Sequence, residues 1–233
     1  MTNREIYDAF RAAGFTEAGA CGLMGNMMAE SSMKPNIAQR GMTTLTDEQY
    51  TAAADNGSID FVHDSVGYGY IQLTYWSRKQ KYLDLCHKLG KSVGDAETQI
   101  KFIIMELMQD YQKVYMILHS SQDLYECTRT VCIQYERPAV NNVDARYQFA
   151  QRFFSEFCGS EALAAEHASQ SPATGGDVTA PATSSSDAGV KAAVMVMQMV
   201  MSYAGYWGAV TGERSPEFFE ALRIFTADIE KAK

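Results

Sequence analysis

Glu30 is the side chain in this 233-residue sequence whose surroundings best suit acid–base chemistry. It sits in "GLMGNMMAESSMKPN", behind apolar residues that recur at Ala20, Leu23, Met24, Met27 and Met28 with helical spacing. At about 100° per residue, Glu30 falls roughly 20° from Leu23 and roughly 60° from Met27, so its carboxyl points toward the core or a cleft beside it. Desolvation and the negative end of the helix dipole both disfavour a charged carboxylate there. A carboxyl that keeps its proton near neutral pH is what a general acid requires. The bland alternative is a glutamate that turns outward at a frayed helix end, since Glu is rarely fully buried.

A second stretch concentrates groups that suit sugars. In "DFVHDSVGYGYIQLTYWSRKQKYLDL", residues 60–85, Gly67 and Gly69 permit close backbone approach, and Tyr68, Tyr70, Tyr75 and Trp76 alternate with Gln72 and Thr74. Aromatic faces stack on pyranose rings, and amide or hydroxyl tips read sugar hydroxyl and acetamido groups. The same aromatics are equally suited to filling a core.

The elements that must position these residues are nearly all helical. Periodicity predicts helices over 4–13 and 17–31, a long one from Glu97 to His119, and two more over 122–134 and 144–158. Thr16 and Glu17 start the second helix, and Ser31, Ser32 and Pro35 end it. Between 34 and 67 the periodicity is lost, which predicts a long functional loop over a cleft. Residues 165–189, rich in Ser, Ala, Thr, Gly and Pro, read as a flexible linker with a reach of about 25 to 30 Å. The expected architecture is mainly α: a catalytic domain over 1–164, that linker, and a small three-helix module over 190–233.

Three motifs in order, "GLMGNMMAESSMKPN", "GYGYIQLTYWSRKQ" and "YERPA", resemble the phage tail lysozyme and endolysin family of lysozyme-like fold. Goose-type lysozymes and lytic transglycosylases belong to the same wider group. The resemblance implies that Glu30 carries the catalytic acid, with Ser31 as the serine that follows it. It implies that a segment matched at Gly69 and Gln72 lines the glycan groove, where composition also puts Tyr68, Tyr70, Thr74 and Trp76. Where the family often has Gln-Trp-Thr, this chain has Gln72-Leu73-Thr74, so one aromatic wall is either absent or supplied by Trp76. Glu136 matches an acid before proline and is expected to bind substrate or the Gly-rich turn rather than to react. A second carboxylate would come from Asp47, Glu48, Asp55, Asp60 or Asp64, or from none of them. Asp64, three residues before the Gly-rich turn, matches the family best. Carboxyl pairs of retaining glycosidases lie about 5 Å apart and those of inverting ones about 6.5 to 9.5 Å.

Residues 194–230 resemble a degenerate peptidoglycan-binding module, matched at Gln198, Gly205, Tyr206, Val210, Gly212, Pro216, Ala221 and Phe225. Thr211 and Arg214-Ser215 replace residues of its sugar-contacting loop. Met195, Met197, Met199 and Met201 offer self-association as the alternative use.

A net charge of −8 argues against nucleic acid as partner. No run of 18 apolar residues and no signal-peptide core occurs, so no membrane insertion is expected. The expected location is the host bacterial cytoplasm, with action on the wall after release. The four histidines and five cysteines show no metal spacing, and no cofactor is expected. The expected substrate is peptidoglycan, cut by a muramidase or by a lytic transglycosylase. Two rivals are a cysteine amidase using Cys21 with His63 or His87, and a non-catalytic wall-binding or tail structural protein.

Overall fold

The computed structural model describes residues 1–140, 142–159, 219–220 and 223–224. The linker and nearly all of the C-terminal module lie outside them, as do the residues that carry the wall-binding or self-association expectation. The helices α1 Asn3–Ala12, α2 Glu17–Ser31, α3 Asp47–Asp55, α4 Trp76–Leu89, α5 Ala96–Asp110, α6 Gln112–Ser120, α7 Leu124–Thr130 and α8 Val143–Cys158 follow one another. They belong to the first of two units into which the chain divides, Met1–Ser171. A π-helical turn, Val131–Glu136, continues α7 directly. Among the described residues no strand forms, only isolated antiparallel bridges from Tyr68 to Ala38 and Leu73. The mainly helical expectation holds.

The fold is built around α2. Residues Ala18 to Met27 are buried on every side, as expected of a helix surrounded by others. Three glycines on successive turns let neighbours in: a Cβ at Gly19 would overlap the Leu118 backbone of α6. One at Gly22 would lie 2.9 Å from Cys127 of α7, and one at Gly25 2.6 Å from the Arg146 carbonyl of α8. Thr16 caps α2 by accepting from Gly19 N–H at 2.9 Å, and its hydroxyl donates to the Ser121 carbonyl at 2.6 Å. Ser32, in the left-handed region at φ 52°, stops the helix.

Three sequence expectations need correction. The segment from 34 to 67 is not an open loop: it holds α3, whose Thr46–Gln49 capping box fixes its start, and residues 37–39 bond to 67–69. The helix expected from Glu97 to His119 breaks at Tyr111 (φ −129°, ψ 47°) into α5 and α6. Leu107, Val114, Tyr115 and Leu118 keep helical phase across that break, so periodicity does not mark it. Helix α4 was not expected. Its stripe is interrupted by Lys79, which is fully buried yet charged by type.

Candidate active site

One cleft, of about 950 Å³, runs along the face where α2, α4, α5 and the π-helical turn meet. Glu30, Gln72, Thr74 and Glu136 line it, together with Tyr75, Arg78, Glu106, Tyr111 and Arg137. Glu30 and Glu136 each stand at a helix end. Glu30 precedes Ser31 and the left-handed Ser32, and Glu136 closes the π-helical turn before Arg137, also left-handed at φ 51°. Such π turns and left-handed residues recur at functional sites.

Glu30 is held from behind. The Arg146 guanidinium of α8 donates from Nη2 to Glu30 Oε1 at 2.5 Å and from Nη1 to Asn26 Oδ1 at 3.2 Å. Asn26 and Glu30, four residues apart on one face of α2, therefore receive one arginine fork. Asn26 in turn donates to the Thr128 carbonyl at 3.0 Å, which ties the pair to α7. Glu30 keeps 19% of its side-chain surface exposed, and Arg146 keeps 8%.

Glu136 differs. Among the described residues its carboxyl has no hydrogen-bond partner, and its Oε1 is buried. Burial pushes this carboxyl up to about 8, and the negative charge of Glu30 pushes the same way, against Arg78 and Arg146. The expected bond to the Gly-rich turn is not made.

The floor of the cleft is preorganised by Arg78 and Glu106, joined by two parallel bonds of 2.7 Å. Tyr135 donates to Glu106 at 2.7 Å while its ring lies 4.8 Å beneath the Arg78 guanidinium. The break between α5 and α6 turns Tyr111 into the same cleft, edge-on to Tyr135 at 4.9 Å.

The Gly-rich turn forms the opposite wall. Gly69 has φ 76°, and Gln99 of α5 clamps the turn by accepting from Tyr70 N–H at 2.9 Å and donating to the Val93 carbonyl at 3.0 Å. This presents Gln72 and Thr74 to the cleft. Gln72 Nε2 is already bonded to the Gly69 carbonyl at 3.1 Å.

Other expected site residues lie elsewhere. Tyr68 is fully buried and shares a 2.6 Å bond with Thr51, and Tyr70 is 1% exposed with its hydroxyl unpartnered. Both rings are core, within a run from Val66 to Ile71 that is buried throughout. Ser31 is buried and donates to the Met27 carbonyl at 2.9 Å, a back-bond at the helix end rather than a reach toward substrate. Trp76 is 52% exposed but lies outside the cleft lining, near the His63 ring at 6.2 Å. Its neighbour Tyr75, 64% exposed, supplies the aromatic rim instead.

None of the five acids considered for the second carboxylate lines the cleft. Asp64 accepts from Lys79 at 2.6 Å and from the Tyr50 hydroxyl at 2.5 Å. It balances a buried ammonium whose pKa burial lowers. Asp47 accepts from Ala38 N–H, Asp55 from Ser92 and Val93, and Asp60 pairs with His63. The cysteine alternative fares poorly as well. Cys21 is fully buried, and a hydrogen bond to Cys158 together with burial raises its thiol, the reverse of nucleophile activation.

Residues 1–157 match the phage tail lysozyme family, and the chain belongs to that family. It is similar to Morphogenesis protein 1 of Bacillus phage B103, with 26% identity over 153 residues covering 63% of this chain. The match spans only 36% of that relative's length. Among the described residues no helix is long and apolar enough to cross a membrane.

Proposed function

We propose that this protein is a phage or prophage muramidase that hydrolyses the β-1,4 bond from N-acetylmuramic acid to N-acetylglucosamine. The observation that carries this reading is a single cleft in which Glu30 and Glu136 stand beside the exposed ring of Tyr75, while its third glutamate, Glu106, is taken up by Arg78. Cleavage of a glycoside needs one carboxyl to give a proton and another to meet developing positive charge or activate water. With Asp64 committed to Lys79 and Glu106 to Arg78, Glu30 and Glu136 are left to supply that pair. A carboxylate available to activate water favours hydrolysis over the internal attack of a lytic transglycosylase.

Release of dye from labelled, purified cell walls tests the assignment of the cleft. Glu30→Gln is expected to lower the rate at least about a hundredfold while keeping the helical circular dichroism. A variant retaining a tenth of the wild-type rate would remove Glu30 from the chemistry. The name of the phage B103 relative supports a second reading of where the enzyme works, as a part of the virus particle rather than a free lysin. Mass spectrometry of purified virions separates the two.

A further inference from the structure

Of the cations that line the cleft, Arg78 is taken by Glu106, and Lys81 donates to Asp110 at 2.6 Å. Arg137 has no carboxylate partner among the described residues. Its Nε donates to the Gln134 carbonyl at 3.1 Å, and its guanidinium lies over the Tyr111 ring, 5.8 Å from the centroid. The backbone beneath it is fixed as well, since Arg137 N–H closes the π-helical turn on the Cys132 carbonyl at 2.9 Å, with φ at 51°. The outer guanidinium nitrogens are therefore held in place with no acceptor of their own among the described residues.

Arg137 and Tyr111 also border a second depression, of about 570 Å³, which adjoins the cleft through them. Its wall carries Gln109, Gln112, Gln134 and Lys113, with the half-exposed side of Ile133 between them. Lys113, like Arg137, has no carboxylate partner among the described residues. The acid at the shared edge, Asp110, is already engaged by Lys81. In a chain of net charge −8, two cations without counter-ions beside three side-chain amides and an apolar contact suit a short peptide that carries carboxylates. Side-chain amides both give and accept hydrogen bonds with peptide groups, and a guanidinium grips a carboxylate with two parallel bonds.

We propose that this depression binds the peptide borne by the lactyl group of muramic acid, with Arg137 and Lys113 meeting its carboxylates. This rests on the muramidase reading above. When the bond on the muramic acid side lies at the glutamates, that sugar's peptide has to leave the cleft sideways, and the depression past Arg137 gives it a bed. A guanidinium already tethered at Nε and resting on a ring loses little freedom when it binds. The break between α5 and α6 has a use in this arrangement, because Tyr111 faces the cleft and supports Arg137 at once. The consequence is selectivity for glycan strands that carry peptides over bare ones.

The experiment compares peptide-bearing glycan strands with strands stripped by an amidase, using full-length wild type, Arg137→Gln and Lys113→Gln. New reducing ends give kcat/KM on each substrate. The wild type should prefer peptide-bearing strands, and Arg137→Gln should lower that preference about tenfold, through KM on the peptide-bearing substrate. Lys113→Gln should lower it less, by about threefold. The preference is a ratio measured on one protein sample, so loss of folded protein does not move it. A wild type without preference, or an Arg137→Gln enzyme that keeps it whatever its overall rate, overturns the site. So does an Arg137→Gln effect that vanishes when hydrofluoric acid removes the wall's phosphodiester polymers, since the anion would then be a phosphate. A wild type that cuts neither substrate would sink the muramidase reading alone. Calorimetric titration with a soluble disaccharide–tripeptide then still decides: binding about tenfold weaker to Arg137→Gln is expected, and equal binding overturns the site.

Discussion

Arg146 Nη2 stands 2.5 Å from Glu30 Oε1 and joins the last turn of α2 to the first turn of α8. The contact explains how an acid survives on the buried side of an apolar helix. Its charge is met from behind by a cation that is itself nearly buried and shared with Asn26. The helix geometry that makes Glu30 available to the cleft therefore depends on a residue 116 positions away in sequence.

Arg146→Ala should accordingly cost both stability and rate. Removing one partner of a largely buried pair typically destabilises by about 3 to 5 kcal/mol, because the other is left uncompensated. Arg146→Lys keeps a charge but loses the two-pronged contact with Asn26 and Glu30, and should fall between the two. Chemical denaturation and wall-lysis rates measured on the same samples check this. A fully stable Arg146→Ala protein would mean that the pair does not anchor α8 to α2.

Asp64→Asn should act on stability and not on chemistry. The substitution removes the negative charge that balances the buried Lys79 ammonium, which keeps the Tyr50 hydroxyl at 3.3 Å and the face of the Phe61 ring at 4.4 Å. A loss of about 3 to 5 kcal/mol is expected, with the rate per folded molecule kept within a few-fold. A hundredfold drop in rate without a drop in melting temperature would return Asp64 to the catalytic pair.

How much of this was legible in the sequence can be read from particular residues. The limits of α2 and the inward aim of Glu30 follow from apolar spacing and from Ser32 and Pro35, and the structure has the helix there. The partner of Glu30 left only a faint mark: Asn26, four residues earlier on an otherwise apolar face, is the polar residue that a buried network needs. Helix α4 was hidden because Lys79 reads as a surface residue, and its burial depends on Asp64 across the fold. Tyr68 and Tyr70 were assigned to the cleft by composition, but the direction of a side chain in a glycine-rich turn depends on dihedrals such as the 76° of Gly69. Glu136, two residues before Pro138, was read as binding substrate or the Gly-rich turn. Its lack of partners is a property of the assembled cleft.

Gly69→Ala should disturb the cleft wall more than its small size suggests. The residue has φ 76°, and an added Cβ would overlap the amide of Gln99, so the clamp on Tyr70 must open. A loss of about 1 to 3 kcal/mol is expected from strain and the displaced bond together. Gly41→Ala isolates the backbone part, since Gly41 has φ 78° with nothing within 4 Å of its added Cβ. It should cost clearly less. Equal losses in thermal denaturation would mean that Gln99 adjusts freely.

Stability should also depend on pH through Glu136. Its folded pKa, about 8, lies above the ordinary value of 4.5, so the folded state holds this proton more tightly than the unfolded one. The stabilisation is complete below about pH 4.5, is lost progressively as pH rises toward 8, and does not change further above it. Glu136→Gln should flatten this component. Its melting temperature should exceed that of the wild type by several degrees at pH 9, and by less at pH 5. The same difference at both pH values would show that Glu136 does not carry the proton.

The chemistry of the product ends tests the hydrolase most directly. Purified cell walls digested by the full-length protein, reduced with borohydride and resolved by mass spectrometry should yield muropeptides ending in N-acetylmuramitol. Those ends appear only if water has opened the bond on the muramic acid side. Predominantly anhydromuramic ends would contradict water activation in the cleft, and reduced N-acetylglucosamine ends would contradict the bond assignment itself.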